Sequence, residues 1–188
     1  LLCDGMGTGE EARSEAVSTS TLLKELIESG LDAHDAMQTI NGLYILRDGG
    51  GFAAIDLLQV SLVTAEGFLH KWGAAPSFLK FGRIVQQVGS ALPPPGLGVG
   101  KSYGPACIRV CLERGEALIL TSDGVDAAIA GRYLQSCGEL SVRELAAGVV
   151  SSSEEAAPDD RTAAVLRLKR TEPQRRGKRK VLAHIRLL

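Results

Sequence analysis

Three stretches of this 188-residue sequence set an aspartate against the end of an apolar, strand-like run: "LLCDGMGTG" at the start, "LILTSDGVD" from Leu118, and "APDDRTAAVLRL" from Ala157. An Asp-Gly pair after a strand is an ordinary turn. Three such places are either three turns or a set of carboxylates gathered at one rim, and spacing leaves both open. Gathered carboxylates repel, so one of them takes a proton unless a cation sits between them. Carboxylate and backbone-carbonyl oxygens suit Mg²⁺ or Mn²⁺. Two such ions ~3.5–4 Å apart are a common device for hydrolysing a phosphate ester. The candidates are Asp4, Asp123, Asp159 and Asp160, with Gly5, Gly7 and Gly9 letting the chain bend after Asp4 so that carbonyls face the same ligand.

With 45% hydrophobic residues, a chain of this length buries the core of one domain. Aromatic residues are only 4%, so the core is aliphatic and no stacking platform for nucleic acid is expected. No apolar run reaches the ~18 residues of a membrane span, and "LLCDGMG" lacks the features of a signal peptide. The chain as given is expected to be soluble and cytoplasmic. Cys3, Cys107, Cys111 and Cys137 show no CxxC spacing and read as free thiols of a reducing compartment. Charge divides the chain. Residues 1–168 hold 13 Lys and Arg against 21 Asp and Glu, and residues 169–188 hold eight against one. The expected organisation is a domain over 1–169 and a solvated basic tail over 170–188, with binding of an acidic partner as the alternative for the tail. Its final "VLAHIRLL" either adds an edge strand or docks on the body.

"GEEARSEAVSTSTLLKELIESG" reads as a helix with acids in its first turn and a stop at Gly30. "LDAHDAMQTINGLYILRD" reads as a second, with Asp32 as its N-cap. "FAAIDLLQVSLVT" and "GFLHKWG" read as a hairpin, and "ACIRVCLE" and "ALILTSD" as another. A helix capped by Ser141 and a last strand "TAAVLRLKR" follow. This order favours an α+β fold of antiparallel sheets with segregated helices. Asp56 falls in an apolar strand, where a charge is costly unless paired, so it faces either the metal rim or the outer face, with the outer face favoured. "GLGVGKS" resembles a P-loop, but Pro95 occupies the position of its first glycine. "CDGMGT" lacks the paired D-x-D of aspartate-nucleophile phosphatases, which leaves covalent catalysis through Asp4 as a minor alternative. His34, His70 and His184 have no ligand-spaced partner and receive no catalytic role.

"DGMGTGEEARSEAVSTSTLLKELIESGLDAHDAMQTIN", "IDLLQVSL", "HKWGAAPSFL", "LTSDGVD" and "DDRTAAVLRL", in this order, resemble the stage II sporulation protein E phosphatase domains, which belong to the PPM, or protein phosphatase 2C-like, serine/threonine phosphatases. The resemblance runs from Leu1 to about Lys169. It implies an α+β PPM sandwich of two antiparallel β-sheets flanked by α-helices and an active site with two Mn²⁺ (or Mg²⁺) ions. By the same resemblance Asp4 bridges the metals, Gly5 ligates through its carbonyl, Asp123 and Asp159 are metal ligands, and Asp160 takes a neighbouring place. Asp4 and Asp123 are thereby the catalytic candidates. Activated water is then expected to attack phosphoserine directly, without a phosphoenzyme. The implied substrate and partner is a phosphorylated anti-anti-sigma factor, whose dephosphorylation frees a sporulation sigma factor. Longer relatives are tethered to the membrane through a segment absent here. The family's upstream Gly-Asp strand is also absent, and the first sheet is expected to lack its opening strands. A catalytically impaired fragment, or pseudophosphatase, acting as a partner-binding module is therefore the alternative. Lys71, within the family signature that continues through "GAAPS", is expected to be structural or coupled to activation, and Arg161 to reach either substrate phosphate or solvent.

Overall fold

In the computed structural model the described residues are 1–47, 51–89, 92–97, 104–154 and 159–169. The basic tail, most of "GLGVGKS" and residues 155–158 of the acidic loop lie outside them. Strand β1 (Leu2–Gly5) leads through Gly7 and Gly9, at φ +100 and +79, into helix α1 (Gly9–Glu28). Glu10 and Glu11 in its first turn complement the helix dipole. Helix α2 (Ala33–Leu46) starts at Asp32, whose side chain accepts a 2.8 Å hydrogen bond from the His34 amide. Its buried Ala33, Ala36, Met37, Ile40 and Tyr44 fall at helical spacing.

Strands β2 (Ala53–Val60) and β3 (Glu66–Trp72) form the expected hairpin. The next two strands, β4 (Ser77–Phe81) and β5 (Ile84–Val88), form a hairpin that the sequence analysis did not identify. Strand β6 (Ala106–Cys111), strand β7 (Ala117–Thr121), helix α3 (Ala127–Ser136), helix α4 (Val142–Ser152) and strand β8 (Ala163–Leu166) complete the order. Helix α3 was likewise unanticipated. Asp126 caps it by accepting from the Ile129 amide at 2.8 Å, and Lys80, buried on β4, donates to the Leu134 and Cys137 carbonyls at its end. Ser141 and Glu144 make a reciprocal capping box on α4.

One expectation is corrected. Strands β6 and β7 are not a hairpin: the turn between them passes the chain from one sheet to the other. Antiparallel pairing gives one sheet in the order β1-β2-β3-β6 and a second in the order β5-β4-β7-β8. Burial explains the separation. Strand β7 is buried at all five positions and needs cover on both faces, whereas β6 alternates buried Ile108 and Val110 with exposed Arg109 and Cys111, as an edge strand does.

Residue parity sorts the core into three layers. Ala53, Ile55 and Leu57 of β2, with Trp72 of β3, pack under α1 and α2. Ala117 and Ile119 of β7, with Phe78 of β4, pack under α3 and α4 beside Leu134, Leu145 and Val149. Leu118 and Leu120 point the other way, meeting Leu69, Ile108, Val110 and Leu112 between the sheets. The result is a sandwich of two sheets with a helix pair on each outer face.

His70 is buried on β3, with Asp32 and His34 of the α2 start nearby and no hydrogen-bond partner for Nδ1. Burial lowers its pKa below the ordinary 6.5, so the folded protein keeps it neutral. The unfolded chain takes up that proton first, so His70's contribution to stability is complete above 6.5 and falls as the pH drops below it. Urea unfolding of the parent and of His70→Gln at about pH 7.5 and about pH 5 should show the variant losing less stability, or gaining more, than the parent on going to acid.

Candidate active site

The two sheets bring the three aspartate stretches to one end of the sandwich. Asp4 is the third residue of β1, and Asp123 lies two residues beyond β7. Asp159 and Asp160 precede β8, which pairs with β7. Ser122 fastens that corner: its amide donates to the Thr162 carbonyl at 3.0 Å, and its hydroxyl accepts from the Thr162 amide at 2.9 Å. The Ser122 hydroxyl also donates to the Asp160 carbonyl at 3.3 Å. The Asp159 carboxylate accepts from the Asp160 amide at 2.8 Å.

Asp4, Gly5, Asp123, Asp159 and Asp160 all line one open cleft of about 640 Å³. Every aspartate singled out from the sequence as a rim candidate is there. Helix α1 forms a wall through Gly9, Ala12, Arg13 and Ala16, which share a face at i, i+3, i+4 and i+7 spacing. The alanines leave the cleft open, and Arg13 brings a guanidinium that the sequence analysis overlooked. Its signal was that spacing after "DGMGTG". Arg161 also lines the cleft. His34 and His70 are not among the lining residues.

Asp56 requires a second correction. It is buried, 1% exposed, and forms part of the cleft lining rather than an outer face. The structure stabilises its charge with Lys71, a neighbour across β2 and β3, which explains how a carboxylate sits in an otherwise apolar strand.

Burial and neighbouring carboxylates both act on Asp4. Burial, and after it the charge and side-chain hydrogen bond of nearby Asp123, push the Asp4 carboxyl up to about 6, against a smaller lowering by the Asp123 backbone and with Asp159 adding a smaller push. Carboxylates this close are strained without a proton or a cation between them. An all-oxygen donor set of this kind fits a hard divalent ion. Asp4 and Asp123 form the close pair. Among the described residues, no three His, Cys, Asp or Glu side chains already stand at metal-ligand spacing.

The model of the stage II sporulation protein E family, SpoIIE, matches residues 1–171. The chain belongs to this family. SpoIIE of Bacillus subtilis (strain 168) is 34% identical over 125 residues, which are 66% of this chain and 15% of that protein. SpoIIE of Priestia megaterium is 32% identical over 126 residues, 66% of this chain and 21% of that protein. This chain thus matches only a small part of either relative. A solved structure of the PP2C phosphatase domain and a regulatory-domain fragment of B. subtilis SpoIIE superposes with a TM-score of 0.76 at 28% identity, covering 91% of this chain and 53% of that one. The B. subtilis phosphatase domain in a crystal form without domain swapping gives a TM-score of 0.62 at 26% identity, over 95% and 82% of the two chains. A manganese-presoaked form of that domain gives 0.59 at 25%, over 89% and 76%. The fold is accordingly the PPM sandwich of this family.

Close backbone contacts frame the cleft on both sides. A Cβ added to Gly5 would lie 1.9 Å from the Ala12 carbonyl oxygen, and one added to Gly124 would lie 2.4 Å from the Asp160 carbonyl oxygen. Both contacts are with backbone, which cannot swing aside as a flexible side chain would. Gly5→Ala should therefore push α1 off β1 and cost about 2–3 kcal/mol in urea unfolding, as overpacking does. A stability unchanged from the parent would refute this close approach.

Proposed function

We propose that this chain is the phosphatase domain of a metal-dependent protein serine phosphatase, acting on phosphoserine of an anti-anti-sigma factor and so releasing a sporulation sigma factor. The observation that carries the reading is the convergence of Asp4, Asp123 and Asp159, from two different sheets, on one cleft. Membership of the SpoIIE family supports both the activity and the substrate class.

In this reading Asp4, the Gly5 carbonyl, Asp123 and Asp159 would hold two Mn²⁺ or Mg²⁺ ions. Such ions, when bound, make water a nucleophile near neutral pH and offset the charge of the phosphate. The carboxylates of this chain fix where that happens. Arg13 and Arg161, which both line the cleft, add positive charge suited to a phosphate dianion. Asp160 keeps Asp159 in place through its amide. Membrane association would belong to a longer parent protein, since among the described residues no helix is long and apolar enough to cross a membrane.

A second reading, a partner-binding module with impaired catalysis, is favoured by one observation: no three potential ligands among the described residues are grouped at metal spacing. Calorimetry with Mn²⁺ separates the two. Two tight binding events support the enzyme; one weak event or none supports the binding module.

The decisive assay is hydrolysis of a phosphoserine protein by the 188-residue chain, with Mn²⁺ and with a chelator. Turnover should require Mn²⁺. Asp4→Asn and Asp123→Asn should each lower kcat by about 100-fold or more while leaving the thermal melt in place, because a direct ligand is worth at least as much as an outer-shell partner. Metal-independent turnover, or full activity in either variant, would rule out the proposed site.

A further inference from the structure

Beneath the cleft lies a polar bridge that the proposed chemistry does not use. Lys71 Nζ donates to Asp56 Oδ1 at 2.5 Å and to Ser77 Oγ at 2.8 Å. Asp56 and Lys71 belong to β2 and β3 of one sheet, and Ser77 opens β4 of the other. All three are buried, and among the described residues this is the only ion pair with both side chains buried. A Cβ at Gly89, just past β5, would lie 2.7 Å from Lys71 Cε, so the backbone there closes tightly over the lysine stem.

The bridge stands in a continuous path between the two carboxylates. On one side Asp56 pairs in register with Leu2, two residues from Asp4 on β1. On the other, Pro76, next to Ser77, accepts a 2.7 Å hydrogen bond from Thr121 Oγ1, two residues before Asp123. Apolar side chains fill the space between the sheets elsewhere, and apolar packing holds two layers together at lower desolvation cost than an ion pair. What the charged bridge adds is a fixed geometry at the cleft end. Asp56 Oδ2 is buried and without a hydrogen-bond partner, and Asp56 is among the residues lining the cleft.

We infer that Lys71, with Asp56 and Ser77, is a positioning device that sets the separation of Asp4 and Asp123 across the two sheets. The inference rests on the phosphatase reading of the cleft.

Lys71→Met alone would leave a buried, unpaired carboxylate and could unfold the chain. The informative variant is the double substitution Asp56→Leu, Lys71→Met, which replaces the pair with apolar groups of similar bulk. It should keep a cooperative thermal melt in chelator. Its Mn²⁺ affinity by calorimetry should fall about 10–100-fold, the loss typical of an outer-shell partner. Turnover of a phosphoserine protein should lose kcat with little change in KM. A folded double variant that binds Mn²⁺ and turns over as the parent does would overturn the inference, leaving the bridge a structural element alone. A parent chain that binds no Mn²⁺ would instead remove the phosphatase reading beneath it.

Discussion

The approach of Asp4 and Asp123 to one cleft is the constraint on which the site depends. Each carboxylate belongs to a different sheet, so their approach depends on how the two sheets stack. Burial first, and the Asp123 charge after it, raise the Asp4 carboxyl to about 6. A sandwich held by its apolar layers can tolerate such a local cost, because three separate clusters of buried residues stabilise it elsewhere.

The layers divide the work. Helices α1 and α2 cover the sheet that carries Asp4, and α1 also forms the cleft wall with its small residues and Arg13. Helices α3 and α4 cover the sheet that carries Asp123, and α3 is pinned at its C-terminal end by the buried Lys80. Two buried lysines thus do different things. Lys80 is satisfied by backbone carbonyls and finishes a helix, whereas Lys71 meets a carboxylate and a hydroxyl across the sheet gap. In both cases a charge that would be costly alone is kept because its partners are supplied by neighbouring elements.

Local signals in the sequence were read most faithfully where the physics is local. The periodicity of α1, the Asp32 cap of α2 and the Ser141 cap of α4 depend on residues within a few positions, and all are present. The β2–β3 hairpin was equally legible. The β4–β5 hairpin and α3 carry comparable local signals, a Phe-Gly-Arg turn and the Asp126 cap. Strands β6 and β7 are another matter. A short turn between two apolar runs describes a hairpin and a corner between sheets equally well, and burial of β7 on both faces decided for the corner.

The same division holds for the cleft. The sequence by itself determined which residues could serve: aspartates at strand ends, followed or preceded by residues that turn the chain, in the order of the family's motifs. Turn chemistry and strand termination are written within a few residues, so these candidates needed no tertiary information. Only the tertiary structure decided that Asp4, Asp123, Asp159 and Asp160 share one cleft, that Arg13 joins them, and that Asp56 lies beneath it paired with Lys71. Those facts depend on the register of β1 against β2 and on the stacking of two sheets. Both are set by contacts between residues far apart in the chain, which no local pattern specifies.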